Sequence, residues 1–444
     1  MFLHKIKEKI VGCASLSLTK KSSFIFMLVF TAVVVFDSTV ADFSSYSGVE
    51  ASIPMNTAIF VIFSIIFAAS STILLYSVKG STYTSKSGPL NLRYFHLFIS
   101  GTVILTLIVI LIIIFQMILL NEYNLVLLNI QTYLSHLSGL VFLSLLVFLF
   151  GRWFTSKKSY PVILYTMSLS LLSINLVVSL IYLEYYLYGP SPMVKPYSIN
   201  SFVVNFNGVT NPAVISGNAE LLSTLFDILS LSSFLLMWIA TAILLRQYRY
   251  KMGRTKYFSL MSIPLLYYIF PFQNYFGDSF LTMLQSSPVF FSILYVLIFS
   301  ATKQVGALVF GLAFWTASSL VHDERIRKSL LTSSVGIVIV FGSVQIESLQ
   351  YHVYPPYGLV TEAFIPVGAY LLFVGIFSSA RRISRDSQVR KEFYKSASSQ
   401  LTLLQKIGVS QMEKELEVQV NSLDESCDSP DFSRTRFACC ISNC

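Results

Sequence analysis

Long apolar runs fill this chain, and its basic residues fall almost wholly in the short segments between them. A run of about 20 apolar residues matches the hydrocarbon thickness of a bilayer. The first half holds six such runs, near 22–41, 55–78, 95–120, 125–150, 161–188 and 221–245, and the second half holds 257–272, 280–302, 304–321, 329–347 and 358–380. With 54% hydrophobic and only 12% charged residues, the chain departs far from the roughly 25% charged residues of a soluble domain. A water-soluble fold is excluded. The net charge of +9 does not point to nucleic acid, because the cations border apolar runs instead of lining one aromatic-studded surface.

Those cations set the orientation. Lys20 and Lys21 precede the first run, and the loops 79–93, 152–158, 246–256 and 322–328 carry most of the others, as does the tail from Arg381 onward. Positive loops stay in the cytoplasm, so both termini are expected there, in a multi-pass protein of the cell membrane. The first run ends in Ser-Thr-Val-Ala before Asp42, which raises a cleaved signal peptide. The long basic leader from Lys5 to Lys21 favours an anchor, and residue 42 lies outside either way.

Parity then constrains the second half. Between the inside loops 246–256 and 322–328 an even number of crossings is required, yet three apolar segments are present. The weakest is 257–279, where Pro264 and Pro271 each remove a backbone donor; it is expected to be a re-entrant hairpin covered by protein. The expected fold is an all-α polytopic transmembrane bundle of ten full spans, or eleven if that segment crosses, with a short cytoplasmic helical tail. It divides into a basic N-terminus 1–21, a first transmembrane half 22–245 with an external loop 189–220, a second half 246–380, and the tail 381–444. On this topology only Lys195 and Lys303 of the 31 Lys and Arg lie outside the cytoplasm, and none lies within a span.

Within the external loop, the alternating stretch Ser201–Phe206 suggests a strand or hairpin. In the tail, residues 381–406 carry a net +5 and residues 411–431 a net −6, with apolar residues recurring at helical spacing on both sides of Gly408. Two amphipathic helices hinged at Gly408 are expected, the first drawn to anionic lipid. The cysteines Cys13, Cys427, Cys439, Cys440 and Cys444 all fall in the terminal segments; disulfides are not expected there, and no CxxC pair or neighbouring His supplies metal spacing.

No catalytic box is present: no HExxH, no phosphate loop and no nucleophile elbow. The chain is expected not to be an enzyme and to carry no cofactor or metal. His136 is the one histidine deep within a run, where hydrogen-bonded packing is the ordinary role. Carboxylates within spans are more informative, since a charge in hydrocarbon usually faces a partner or cavity. Asp37, Glu184, Asp227, Glu347 and Glu362 all lie in the outer parts of their spans. Either each reaches the headgroup region separately, or they form an acidic outer vestibule for a cation or cationic ligand, with Asn175, Gln345 and Gln116 as neutral partners. The segment Tyr354-Pro355-Pro356-Tyr357-Gly358 joins two φ-locked prolines to interfacial rings and a permissive glycine, and predicts a rigid outer turn. Pro366 predicts a further helix break.

The segments SSPVFFSILYVLIFSATKQVG at 286–306, FGSVQIESLQY at 341–351, YPPYG at 354–358, EAFIPVGAYLLFVGIFSSA at 362–380 and KSASSQLTLLQKIGVSQMEKEL at 395–416 carry a likeness. Over about residues 257–420 the chain resembles a family of uncharacterised multi-pass membrane proteins of ammonia-oxidising archaea, whose YPPFG stands here with Tyr357. The resemblance implies lineage and brings no activity. From the residues themselves, the expected function is a membrane sensor or signal-transducing or assembly module acting through a protein partner at its cytoplasmic tail. A secondary transporter or cation-binding permease is the alternative, and a non-catalytic subunit of a membrane complex a further one. The lipid bilayer is a partner and nucleic acid is not; the sequence leaves any small ligand or cation open.

Overall fold

The computed structural model describes residues 19–47, 53–83, 92–156, 160–188, 203–205, 217–246, 253–265, 288–319, 323–344, 355–385 and 407–413, together with 249, 321 and 416. The elements are α1 (Lys20–Ser47), α2 (Ile53–Tyr83), α3 (Leu92–Leu120), β1 (Glu122–Asn124), α4 (Leu125–Ser156), α5 (Tyr160–Tyr188), β2 (Val203–Asn205), α6 (Gly217–Leu245), α7 (Arg254–Ser262), α8 (Pro288–Ser318), α9 (Glu324–Val344), α10 (Leu359–Glu362) and α11 (Ile365–Arg385). Among the described residues eight helices, α1 to α6, α9 and the α10–α11 unit, are long and apolar enough to cross a membrane. β1 and β2 pair antiparallel with Tyr123 opposite Val204. The strand expected in the external loop therefore pairs with the α3–α4 link instead of folding on itself.

α3 shows which solvent the bundle wants. Leu97, Ile104, Leu111, Phe115 and Ile118 recur at helical spacing and are exposed, while His96, Thr102 and Thr106 on the other face are buried. An apolar stripe turned outward and hydroxyls turned inward reverse the pattern of a helix in water. At the centre lie α9 and α11, whose spans are 83% and 100% buried. Their backbones meet at glycines: a Cβ on Gly336 would come within 2.5 Å of the Leu372 nitrogen, and one on Gly368 within 2.6 Å of Ile339 Cγ2. Small residues at such seams let dispersion contacts hold helices together where lipid removes the usual hydrophobic drive. Asp323 closes the pair at one end. Its Oδ1 accepts from the backbone N–H groups of Arg325 and Ile326, capping α9, and its Oδ2 lies 3.6 Å from Arg382 Nε of α11.

Links that the charge argument assigns to one side meet at one end of the bundle. Trp315 Nε1, near the end of α8, donates to the Lys20 carbonyl at the start of α1, at the end where Asp323 meets Arg382. At the opposite end β1 meets β2, and Asp37 of α1 meets the turn before α10.

Two expectations change in the second half. The segments 280–302 and 304–321, separated in the sequence at Lys303, are joined over 288–318 by the single 31-residue helix α8, about 46 Å long. Lys303 is thus inside a helix and half-buried, where the sequence placed it in a link between two runs. The apolar flanks on both sides of Lys303 propagate one helix, and a flexible cationic stem is no helix breaker. α7 stops at Ser262, just before Pro264. Tyr257 Oη donates to the Ala242 carbonyl and Trp238 Nε1 to the Met261 carbonyl, so α7 runs antiparallel along α6, away from the end where α6 finishes. Pro271 and most of the segment 257–279 lie outside the described residues.

Candidate functional site

Of the five carboxylates, two come together. Asp37 and Glu362 are 2% and 1% exposed, and Asp37 bonds to Thr361, the residue just before Glu362. Asp227 on α6 and Glu184 on α5 are exposed instead, whereas α10 packs on α2, α4 and α9. Glu347 lies outside the described residues. The expected five-member vestibule therefore divides, because depth along a span is legible in sequence but its neighbours around the axis are not.

Local backbone builds the surviving pair. Pro355 and Pro356 fix the approach, the Tyr357 N–H donates to the Pro355 carbonyl, and Gly358 turns with φ 88°, a conformation that favours glycine. That turn aims the Gly358 N–H at Asp37 Oδ2, at 3.2 Å. One turn on, Thr361 Oγ1 donates to the same oxygen at 2.5 Å. The chain then breaks: Pro366 has no N–H to close on the Glu362 carbonyl, and α11 begins afresh at Ile365. Pro366 is thus well placed in the first turn of a new helix. Tyr354 lies outside the described residues, and the Tyr357 ring is 0% exposed, so it is not the interfacial ring expected from sequence. Burial and the nearby Asp37 charge hold its phenol above the ordinary tyrosine range.

α4 adds a histidine. A Cβ on Gly139 would meet Ile365 Cγ2 at 2.5 Å, so α4 and α11 touch there, and three residues earlier on each chain His136 Nδ1 lies 3.9 Å from Glu362 Oε2. Nδ1 is also 3.0 Å from the Thr132 carbonyl; a carbonyl only accepts, so this nitrogen carries the proton. Glu362 Oε2 and Tyr357 Oη have no hydrogen-bond partner among the described residues. Beyond Glu362, Phe364 packs edge-on against Phe30 and Phe67, with centroids 5.2 Å and 4.8 Å away, and this aromatic layer closes the centre toward the other end.

No family model matches the chain, and no curated protein or solved structure matches it. The chemistry of the centre rests on these residues. Among the described residues no group of three His, Cys, Asp or Glu is arranged to hold a metal ion. Of the expected neutral partners, Gln116 Oε1 accepts from the Asn124 N–H, Asn175 is buried in α5, and Gln345 lies outside the described residues. Sequence reasoning took His136 as packing and missed its approach to Glu362; its position as the deepest histidine was the available signal.

Two other features lie apart from the centre. A cleft of about 280 Å³ at the opposite end is lined by Lys20, Arg327, Lys328 and Glu324 among others. On the α6–α8 seam, Gly306 faces Phe234, with Lys303 about one turn and Asp227 about two turns beyond on the same faces. An acid and a base thus approach one depth there.

Proposed function

We propose that the chain is a multi-pass protein of the cell membrane, cytoplasmic at both termini, that senses a condition at its outer end and passes it to its tail, where a protein partner reads it. The observation that carries this reading is the seat of residues 407–413. Trp153 Nε1 on α4 donates to Gln411 Oε1 at 3.1 Å, Ser410 Oγ donates to the Trp153 carbonyl at 3.3 Å, and a Cβ on Gly408 would meet Ile383 Cγ2 of α11 at 2.2 Å. The tail segment therefore touches one end of α4 and of α11; His136 lies in the other half of α4, and Glu362 just before the start of α11. Gly408 is a close-packing position, and most of the helix expected before it, 386–406, lies outside the described residues. A relative shift of α4 and α11 at the acidic centre would reach this contact through two continuous helices.

Spin labels at positions 156 and 416, with the protein in lipid nanodiscs, test the reading. A distance that changes as the outer solution is varied in pH or cation content supports it, and one that never moves sinks it. Topology is tested separately: cysteines placed in 42–54 and 189–220 should label from outside, and those in 246–256, 322–328 and 381–444 should not. Because α8 is one helix that ends beside Lys20, its start should face outside, so cysteines at 286 and 287 should label from there. The secondary-transporter reading is favoured by one observation, the break between α10 and α11 beside buried carboxylates. Uptake of a labelled cation into proteoliposomes would select it.

A further inference from the structure

Asp37 and Glu362 share one buried centre but are served differently. Asp37 Oδ2 receives the Gly358 N–H and the Thr361 hydroxyl, the donors an ionised carboxylate needs. Glu362 Oε2 receives none among the described residues. The nearest ring nitrogen, His136 Nδ1, gives its proton to the Thr132 carbonyl. The titratable groups at this centre are Asp37 from α1, His136 from α4 and Tyr357, beside Asp37, from the turn. Among the described residues, the charged groups of α2 and α9 lie toward the opposite end, at Lys79 and at Glu324, Arg325, Arg327 and Lys328. Among the described residues no cation balances two charges here.

Resting on the sensor reading for its consequence but not for its chemistry, we propose that this centre is a proton-binding site, in which Glu362 takes up and releases one proton while Asp37 stays the hydrogen-bond acceptor. A proton on Glu362 satisfies the arrangement without a third ligand, whereas two ionised carboxylates sharing a buried site repel, and the second has no donor at its Oε2 among the described residues. On release, the proton passes from the Glu362 carboxyl to water at the outer end, leaving a carboxylate beside Asp37. The closed arrangement then opens at the Gly358 turn and the break after Glu362, which are the two weak points of the backbone around the acid. The sign is fixed. The closed form holds one proton more than the open form, so closure is favoured as pH falls and lost as pH rises. The closed-to-open ratio changes about tenfold per pH unit over the range of exchange.

The test is a pH titration of the full-length protein in lipid nanodiscs, read by infrared difference spectroscopy of the protonated-carboxyl band and by the 156–416 label distance. The band should bleach as pH rises, vanish in Glu362→Gln and persist in Asp227→Asn. Survival of the band in Glu362→Gln overturns the proposal. Should that variant not fold, Glu362→Asp must displace the band, and an unmoved band overturns it equally. Bleaching by sodium chloride but not by choline chloride at fixed pH would replace the proton by a monovalent metal cation and also overturn it. A band that titrates while the label distance stays fixed upholds the proton site and removes the sensor reading instead.

Discussion

α3 and α11 are both apolar enough to span a bilayer, yet they sit at opposite extremes of the bundle. α3 is the more apolar, and only 33% of its span is buried; α11, interrupted by glycines and hydroxyls, is 100% buried. In water the order would be reversed. Where lipid is as apolar as leucine, hydrophobicity no longer sorts helices inward, and close approach through small residues does. The functional residues follow the same rule: Asp37 and Glu362 lie at the central α10–α11 unit, whereas Asp227 and Glu184 sit on the periphery.

One substitution made in both helices tests that contrast most severely. Gly368→Leu in α11 drives a side chain into Ile339 and the Val340 nitrogen, 2.6 Å and 3.0 Å from the added Cβ, and should destabilise by about 3 kcal/mol or more. Gly101→Leu in α3 meets nothing within 4 Å, and its effect should stay within about 0.5 kcal/mol. Thermal unfolding in nanodiscs measures both, and equal losses would break the comparison.

Thr361→Val comes next. It removes the hydroxyl that serves Asp37, a hydrogen bond to a charged group with an expected loss of about 1.5–3 kcal/mol. Its peripheral counterpart, Thr72→Val, removes only an exposed hydroxyl bonded to its own helix at the Ala68 carbonyl and should change little. Similar melting shifts for the two would deny the centre its special standing.

The smallest effect is expected at the tail. Gln411→Ala leaves the Trp153 indole without its acceptor and should weaken docking by about 1 kcal/mol, seen as faster proteolysis of the tail with the melting of the bundle unchanged. Unaltered proteolysis would mean that the contact does not hold the tail. A photoreactive apolar probe dissolved in the lipid sharpens the comparison from outside, since it should mark Leu111 and Phe115 of α3 and spare α11.

Sequence alone determined the solvent and the helices that answer to it. Six apolar runs in the first half became α1 to α6 with small shifts at their ends, because spanning length and average apolarity are one-dimensional properties. The breaks at Pro264 and Pro366 and the positive φ of Gly358 were legible for a similar reason: ring closure and the lack of a Cβ act on the backbone locally. Tertiary structure decided what depends on azimuth and contact. It joined two runs into α8 across Lys303, packed Gly408 against α11, separated Asp227 from Glu362, and set Asp37 and His136 beside that glutamate. Each of these follows from which helix faces which, and hydropathy carries little of that, because in lipid a leucine is as well accommodated outside the bundle as within it.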